Sequence, residues 1–326
     1  MQSFRTKLNF NRAPFVLSYE HQTLRMGSCF AVHIGRRLQK HKFPVQNNPF
    51  GILYNPASMR QAIERLRSGR PYGPDDLFEQ NGLWSNFDFH GSFSHFQPKT
   101  ALEAMNRALQ RGREHLARSS RLILTFGTAF VFEHLEQEKI VANCHKVPAS
   151  QFRRYRLGVD NMVASWVALL EELKKDQPDL RVILSVSPVR HLRDGLVENQ
   201  RSKAILILAL AEICRRLDYA HYFPAYELLL DDLRDYRFYD RDLSHPNDLA
   251  VDYIWDHFRE TYFDETADRI FQQVQKIVAG SEHRPLHPGS PGRRQFVAQQ
   301  LDRIQNLQQT YPFLDFSEEI GRLEER

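Results

Sequence analysis

Two short apolar runs, Arg121–Phe126 (Arg-Leu-Ile-Leu-Thr-Phe) and Arg181–Val186, constrain the fold more than any other part of the sequence. Neither has a polar face to offer to water, so each reads as a strand buried on both sides. Helical spacing over Val159–Lys175 separates them. The alternation recurs on either side. Leu24–Met26 leads into Gly27 and a helical pattern over Phe30–Lys42, with apolar positions at Phe30, Ile34 and Leu38. Val45–Asn47, then a helix over Ser58–Arg67 opened by Asn55-Pro56, form the next unit. Thr100–Ala117 is amphipathic, and Asn199–Leu217 precedes a strand at Ala220–Phe223. Strands and helices alternating at this spacing predict an α/β fold with a mainly parallel sheet between two helical layers, a three-layer α/β/α architecture. Ligands of such sheets bind beyond the C-terminal ends of the strands.

The 326 residues are 42% hydrophobic, with 23 Phe, enough for one large domain with a small appendage. Prolines at 285, 288 and 291 and glycines at 280, 289 and 292 mark a linker. The expected division is a main domain over 1–280, a linker over 281–294 and a helical tail over 295–326. Phe296, Val297, Leu301, Ile304 and Leu307 form an apolar stripe on that tail, available to pack on the domain or to bind a partner. Net charge is +4, from 44 basic and 40 acidic residues, which gives no nucleic-acid footprint. The longest apolar run, Ala204–Ala211, is too short to span a bilayer, and Met1–Asn11 lacks a signal pattern. The expectation is a cytoplasmic protein without membrane or nucleic-acid partners. Three cysteines, Cys29, Cys144 and Cys214, argue against a disulfide framework.

Two segments carry chemistry. Asp242-Leu243-Ser244-His245-Pro246-Asn247 precedes a helical run from Leu249 to Phe258. Three residues apart on a loop, Asp242 can fold back on the His245 imidazole, fix its tautomer and stabilise the imidazolium. A loop aspartate beside a surface histidine is the plain alternative. Gly27-Ser28-Cys29-Phe30-Ala31 lies on a strand-to-helix turn, its Cys29 216 residues before His245. There the first helical N–H groups favour a thiolate and offer donors to an oxyanion. The alternative for Cys29 is a small buried hydrophobe. His90, His145 and His245 lack the spacing of a metal site, and neither metal nor cofactor is expected.

Gly27-Ser28-Cys29-Phe30-Ala31 is the string after which the GSCFA family is called. The chain also resembles that family at Asn48-Pro49-Phe50-Gly51-Ile52-Leu53-Tyr54-Asn55-Pro56, Asn143-Cys144-His145-Lys146, Ser187-Pro188-Val189-Arg190 and Tyr222-Phe223-Pro224-Ala225-Tyr226-Glu227. The family is distantly similar to SGNH, or GDSL-type, esterases. The resemblance implies a flavodoxin-like α/β/α fold and acyl-ester hydrolysis or acyl transfer on a small-molecule or carbohydrate ester. It also implies an orienting acid at Asp242 and a general base at His245. An ungapped overlay on the esterase Gly-Asp-Ser motif makes Cys29 the nucleophile; Ser28 requires a one-residue shift. Gly51 resembles the oxyanion glycine of the second esterase block. The third block departs from the pattern: Gly127-Thr128-Ala129-Phe130 has no asparagine, leaving Asn143 or the Thr128 hydroxyl as substitutes. His90 is a further candidate pocket residue. A non-catalytic binding or scaffold protein and a redox-sensing thiol at Cys29 are the competing readings.

Overall fold

The computed structural model describes residues 5–283 and 290–324. Its first unit is β1 (Thr23–Gly27) followed by α1 (Cys29–Lys40), then β2 (Val45–Asn47) and α2 (Pro56–Ser68). A hairpin of β3 (Phe78–Gln80) and β4 (Leu83–Ser85) precedes α3 (Pro98–Arg118) and β5 (Arg121–Phe126). An excursion through β6 (Phe130–His134), β7 (Lys139–Val141) and β8 (Phe152–Arg156) returns to α4 (Val159–Asp176), β9 (Arg181–Val186), α5 (Gly195–Arg216) and β10 (Ala220–Phe223). A short α6 (Ala225–Glu227) runs into a π-helical turn, and the chain ends in α7 (Asp248–Tyr262), α8 (Glu265–Glu282), α9 (Pro291–Thr310) and α10 (Ser317–Glu324).

The main sheet has the order β10-β9-β5-β1-β2, every pair parallel. Counted along the chain this is the 2-1-3-4-5 order of doubly wound flavodoxin-like sheets, whose order reverses beside β1. The two-residue period of a strand explains the layers. Leu122, Leu124 and Phe126 of β5 and Val182, Leu184 and Val186 of β9 join one core with Met59, Met105, Trp166 and Leu206 from α2, α3, α4 and α5. Ile123 and Ile183, facing the other way, join a second core with Phe30, Ile34, Ile254 and Phe271 from α1, α7 and α8. The predicted α/β/α layering is therefore present, and Arg121–Phe126 and Arg181–Val186 are strands over those same residues.

The stripe of the tail is satisfied within the chain. Ile304 and Leu307 of α9 and Leu323 of α10 are buried in the second core, with Phe296, Val297 and Leu301 packed against it. Lys42, just past α1, pairs with Glu319 of α10 at 2.7 Å, the carboxylate side chain being 3% exposed. Helix α8 continues to Glu282 and α9 begins at Pro291, so both ends of the expected 281–294 linker are helical; residues 284–289 lie outside the described ones.

A second sheet, antiparallel with order β7-β6-β8, has no counterpart in the sequence reading. Its strands are short, and β8 carries arginines where apolar residues are usual in strands. Stacking replaces deep burial: the Arg154 guanidinium lies 3.9 Å from the Phe130 ring centroid, and Arg153 pairs with Glu133 at 2.7 Å. Of the alternating stretch Trp84–His90, only Trp84 and Ser85 are in a strand.

Arg25 of β1 points into the second core side and is 1% exposed. Its Nε donates to Asn47 Oδ1 at 2.7 Å, and burial lowers its pKa to about 9. Gly35 lets α1 lie directly on this pair, since a Cβ there would come 2.2 Å from Asn47 Oδ1 and 2.6 Å from Arg25 Nε. Intrinsic propensity favours Gly35→Ala in a helix by about 1 kcal/mol. Overpacking outweighs it, and a net loss of about 1–3 kcal/mol is expected in urea unfolding; a more stable variant would refute this packing argument. Burial also lowers His21, His41 and His191 to about 4. The unfolded chain protonates these groups near pH 6.5, so between about 6.5 and 4 it binds more protons than the folded one. Stability therefore falls as pH drops through that window. Thermal melts at pH 7, 5.5 and 4.5 should show declining midpoints, and a constant midpoint would contradict it.

Candidate active site

The reversal of strand order leaves the C-terminal ends of β1 and β5 side by side, Gly27 in register with Thr125. The chain must turn there without a side chain. Gly27 has φ +154°, and a Cβ on it would lie 2.6 Å from the Thr125 carbonyl oxygen. The Asn48 side chain holds the turn from the other flank, accepting from the Gly27 N–H at 2.9 Å and donating to its carbonyl at 3.4 Å. Ser28 then occupies the N-cap of α1 with extended backbone, yet no side chain caps the helix. The Val32 N–H bonds the Ser28 carbonyl, and the N–H groups of Cys29, Phe30 and Ala31 have no intrahelical acceptor. They are donors at the positive end of a helix dipole.

Cys29 is the exposed member of the three cysteines. Burial pushes the Cys214 thiol up to about 12 and raises that of Cys144. Cys29 and Ser28 line a cavity of about 310 Å³ with His245, Tyr54, Phe130 and Phe132. The Ser28 hydroxyl is buried and has no hydrogen-bond partner among the described residues.

His245 sits on the turn that precedes α7. Asn247 caps that helix by accepting from the Ala250 N–H at 3.1 Å, a contact worth about 1 kcal/mol. Before it, the Arg190 N–H bonds the Ser244 carbonyl at 3.0 Å and the Asp240 N–H bonds the His245 carbonyl at 2.8 Å. Asp242 folds back as the spacing suggested. One oxygen meets His245 Nδ1 at 2.6 Å, and the other accepts from the backbone N–H groups of Ser244 at 2.9 Å and His245 at 3.0 Å. These backbone donors, with the ring, hold the Asp242 carboxyl down at about 2, so it stays an anion throughout the neutral range. With Nδ1 engaged, Nε2 is the nitrogen free to take a proton.

The oxyanion candidates fare differently. The Gly51 N–H is spent on the Asn48 carbonyl at 2.8 Å, and a Cβ on Gly51 would meet that of His90 at 2.4 Å: the glycine serves a close approach, not the cavity. His90 caps a short 3-10 turn through the Ser92 N–H at 3.2 Å and lines neither this cavity nor its neighbour. Asn143 lines the neighbouring cavity; its side-chain oxygen organises its own turn through the His145 N–H at 2.8 Å. The Thr128 hydroxyl faces Ser202 at 3.0 Å and accepts from the Phe130 N–H at 3.1 Å. His145 bonds the Asn86 and Phe89 carbonyls, at 2.9 and 3.1 Å, and does not join His90 and His245. Among the described residues no group of three or more His, Cys, Asp or Glu is placed to hold a metal, and no helix is long and apolar enough to cross a membrane.

Several residues here escaped the sequence reading. His191 faces the Gly127 carbonyl through Nε2 at 3.1 Å and is kept neutral to about pH 4, chiefly by burial and then by Lys203. Lys203 of α5, fully buried, donates to the carbonyls of Gly127 at 2.7 Å and Ser187 at 2.6 Å, tying the ends of β5 and β9 together. A lysine amid the apolar run of α5 was the available signal. A larger cavity of about 500 Å³ lies away from these residues, between α2, α3 and α4; neither cysteine nor histidine lines it, and its Arg67 is paired with Asp176 at 2.9 Å.

The chain thus places an exposed thiol at a helix N-terminus in one cavity with an Asp-oriented histidine, and a family profile, described as the GSCFA family, matches residues 22–258. The chain belongs to the GSCFA family. A second profile, described as GSCFA domain protein, C-terminal domain, matches 274–326 and so begins within α8. Comparison with curated proteins returns no match.

The Asn48 clamp has a measurable weight. Asn48→Ala leaves the Gly27 N–H without its acceptor, and a loss of about 1–3 kcal/mol in chemical unfolding is expected. Unchanged stability would mean that β1 pairing alone fixes the turn.

Proposed function

We propose that this protein is an acyl-ester hydrolase or acyltransferase that works through a thioester on Cys29, in the manner of SGNH esterases with cysteine in place of serine. The observation that carries this reading is the shared cavity of Cys29 and a histidine whose Nδ1 is held by Asp242 at 2.6 Å. His245 Nε2 takes the thiol proton as sulfur attacks the substrate carbonyl; the C–S bond forms and the carbonyl electron pair moves to oxygen. Asp242 stabilises the imidazolium. The uncapped N–H groups at the start of α1 receive the oxyanion, in the place of Gly51 and the missing asparagine. Collapse expels the alcohol, which takes its proton from His245. Water, or a second alcohol in a transferase, then attacks the thioester and releases Cys29. Ser28 supports this as a neighbour whose unpartnered hydroxyl adds a donor at the same edge.

The engagement of the Gly51 N–H and the Thr128 hydroxyl favours one alternative, a binding or scaffold protein that keeps the fold without turnover. Intact-mass measurement with 4-nitrophenyl acetate separates the two. Acylation is expected in the native chain, lost in Cys29→Ser, retained in Ser28→Ala, and slowed about 100-fold or more in His245→Gln. Adduct loss in Ser28→Ala with retention in Cys29→Ser would reassign the nucleophile. No adduct between pH 6 and 9 would leave the binding protein as the reading.

A further inference from the structure

We infer that the substrate of this site carries an anionic group, a carboxylate or a phosphate, and that Arg193 receives it. The inference rests on the acyl-transfer reading for the carbonyl end of the molecule and on separate observations for the other end.

The cavity of Cys29 does not end at its own wall. A second cavity of about 260 Å³ adjoins it, and Tyr54, Phe130, Phe132 and Arg193 line both. A molecule with its carbonyl at Cys29 has room to extend past these side chains into the second space, whose walls include Val147 and Phe152. Three aromatic rings and a guanidinium stand at the junction. Aromatic walls favour a flat or extended acyl portion, and a fork of five donors favours a planar or tetrahedral oxyacid.

The charges around the junction are not balanced by the protein. Arg154 is neutralised by a two-pronged pair with Asp194, both contacts at 2.6 Å. Asp194 is the sole carboxylate lining either cavity among the described residues, and that pair occupies it. Arg190, which also lines the Cys29 cavity, is engaged by Tyr239, its guanidinium 4.1 Å from that ring centroid and hydrogen-bonded to it. Arg193 has a Phe132 ring 5.4 Å away and no ion pair or hydrogen bond among the described residues. The nearby ionisable groups do not supply a counter-charge: burial keeps the Cys144 thiol protonated, and His191 is neutral above about pH 4. An exposed arginine on an open surface finds its anion in solvent. Arg193, though exposed, borders two concave spaces, and the one it shares with Cys29 is walled mainly by apolar surface, which screens a charge pair less than open water does. The missing partner is supplied by the ligand.

Calorimetric titration of glutarate and of inorganic phosphate tests the anion site without turnover. One of them should bind the native chain, and Arg193→Ala should weaken it about tenfold to a hundredfold, with partial recovery in Arg193→Lys. The tighter anion decides between carboxylate and phosphate. Binding of neither, or equal binding by Arg193→Ala, overturns the inference. Comparison of 4-nitrophenyl pentanoate with mono-4-nitrophenyl glutarate then joins the two ends: Arg193→Ala should lose kcat/KM on the glutarate ester by a similar factor and change less than about twofold on the pentanoate. Equal losses on both esters overturn it. Arg193-dependent anion binding with no acylation of Cys29 by either ester would instead overturn the acyl-transfer reading while leaving the anion site in place.

Discussion

The parallel pairing of β1 with β5 is the constraint on which the site depends. Parallel strands send every connection out of the same edge, and the 2-1-3-4-5 order makes the connections after β1 and β5 diverge to opposite faces. A crevice opens between them. Gly27 tolerates the approach of the Thr125 carbonyl, Asn48 fastens the turn, and the first exposed atom of α1 is a thiol. The connections after β9 and β10 reach the same crevice, bringing His191, Arg193 and His245. Lys203 closes the floor by joining two strand ends from below. No long-range design beyond the sheet order is needed to gather residues from five separate parts of the chain.

Much of this was legible because it depends on local patterns. The strands β5 and β9 were readable from their lack of a polar face, and α1 from the three- and four-residue spacing of Phe30, Ile34 and Leu38. Asp242 and His245 were readable as a pair because three residues of loop bring them together whatever the rest of the chain does. The role of Gly51 was not readable. Whether its N–H is free depends on the Asn48 carbonyl, and Asn48 takes a left-handed conformation, φ 43°, that no periodicity announces. The second sheet was missed for a different reason: Phe130–His134 and Phe152–Arg156 are held by guanidinium stacking across strands, an interaction between residues 24 apart that leaves no apolar run. Arg193 belongs with them, since its proposed role follows from the absence of a protein partner among the described residues.

The site divides labour between rigid and exposed parts. The Gly27 backbone, the strand ends and the lysine tie are held by hydrogen bonds, while the Cys29 side chain is exposed. Asp242 and His245 stand out in solvent, their side chains 51% and 44% exposed, on a turn that the Arg190 N–H ties to the loop after β9. Such a layout fixes the start of α1 while leaving the imidazole on a lip. In the proposed reaction, a bound substrate would complete the exclusion of water around it.

The ion pair of Lys42 with Glu319 acquires meaning from the length of α1. Twelve residues of helix make a rod about 18 Å long. Its near end presents Cys29; just beyond its far end, the chain is fastened to α10 by a pair that water scarcely reaches. The C-terminal segment, remote from Cys29, thus helps to set the bearing of the axis that carries the thiol. Truncation before α9 would remove no chemical group from the site, yet it would free the butt of that rod, and an error of a few degrees there is carried along its whole length to the sulfur.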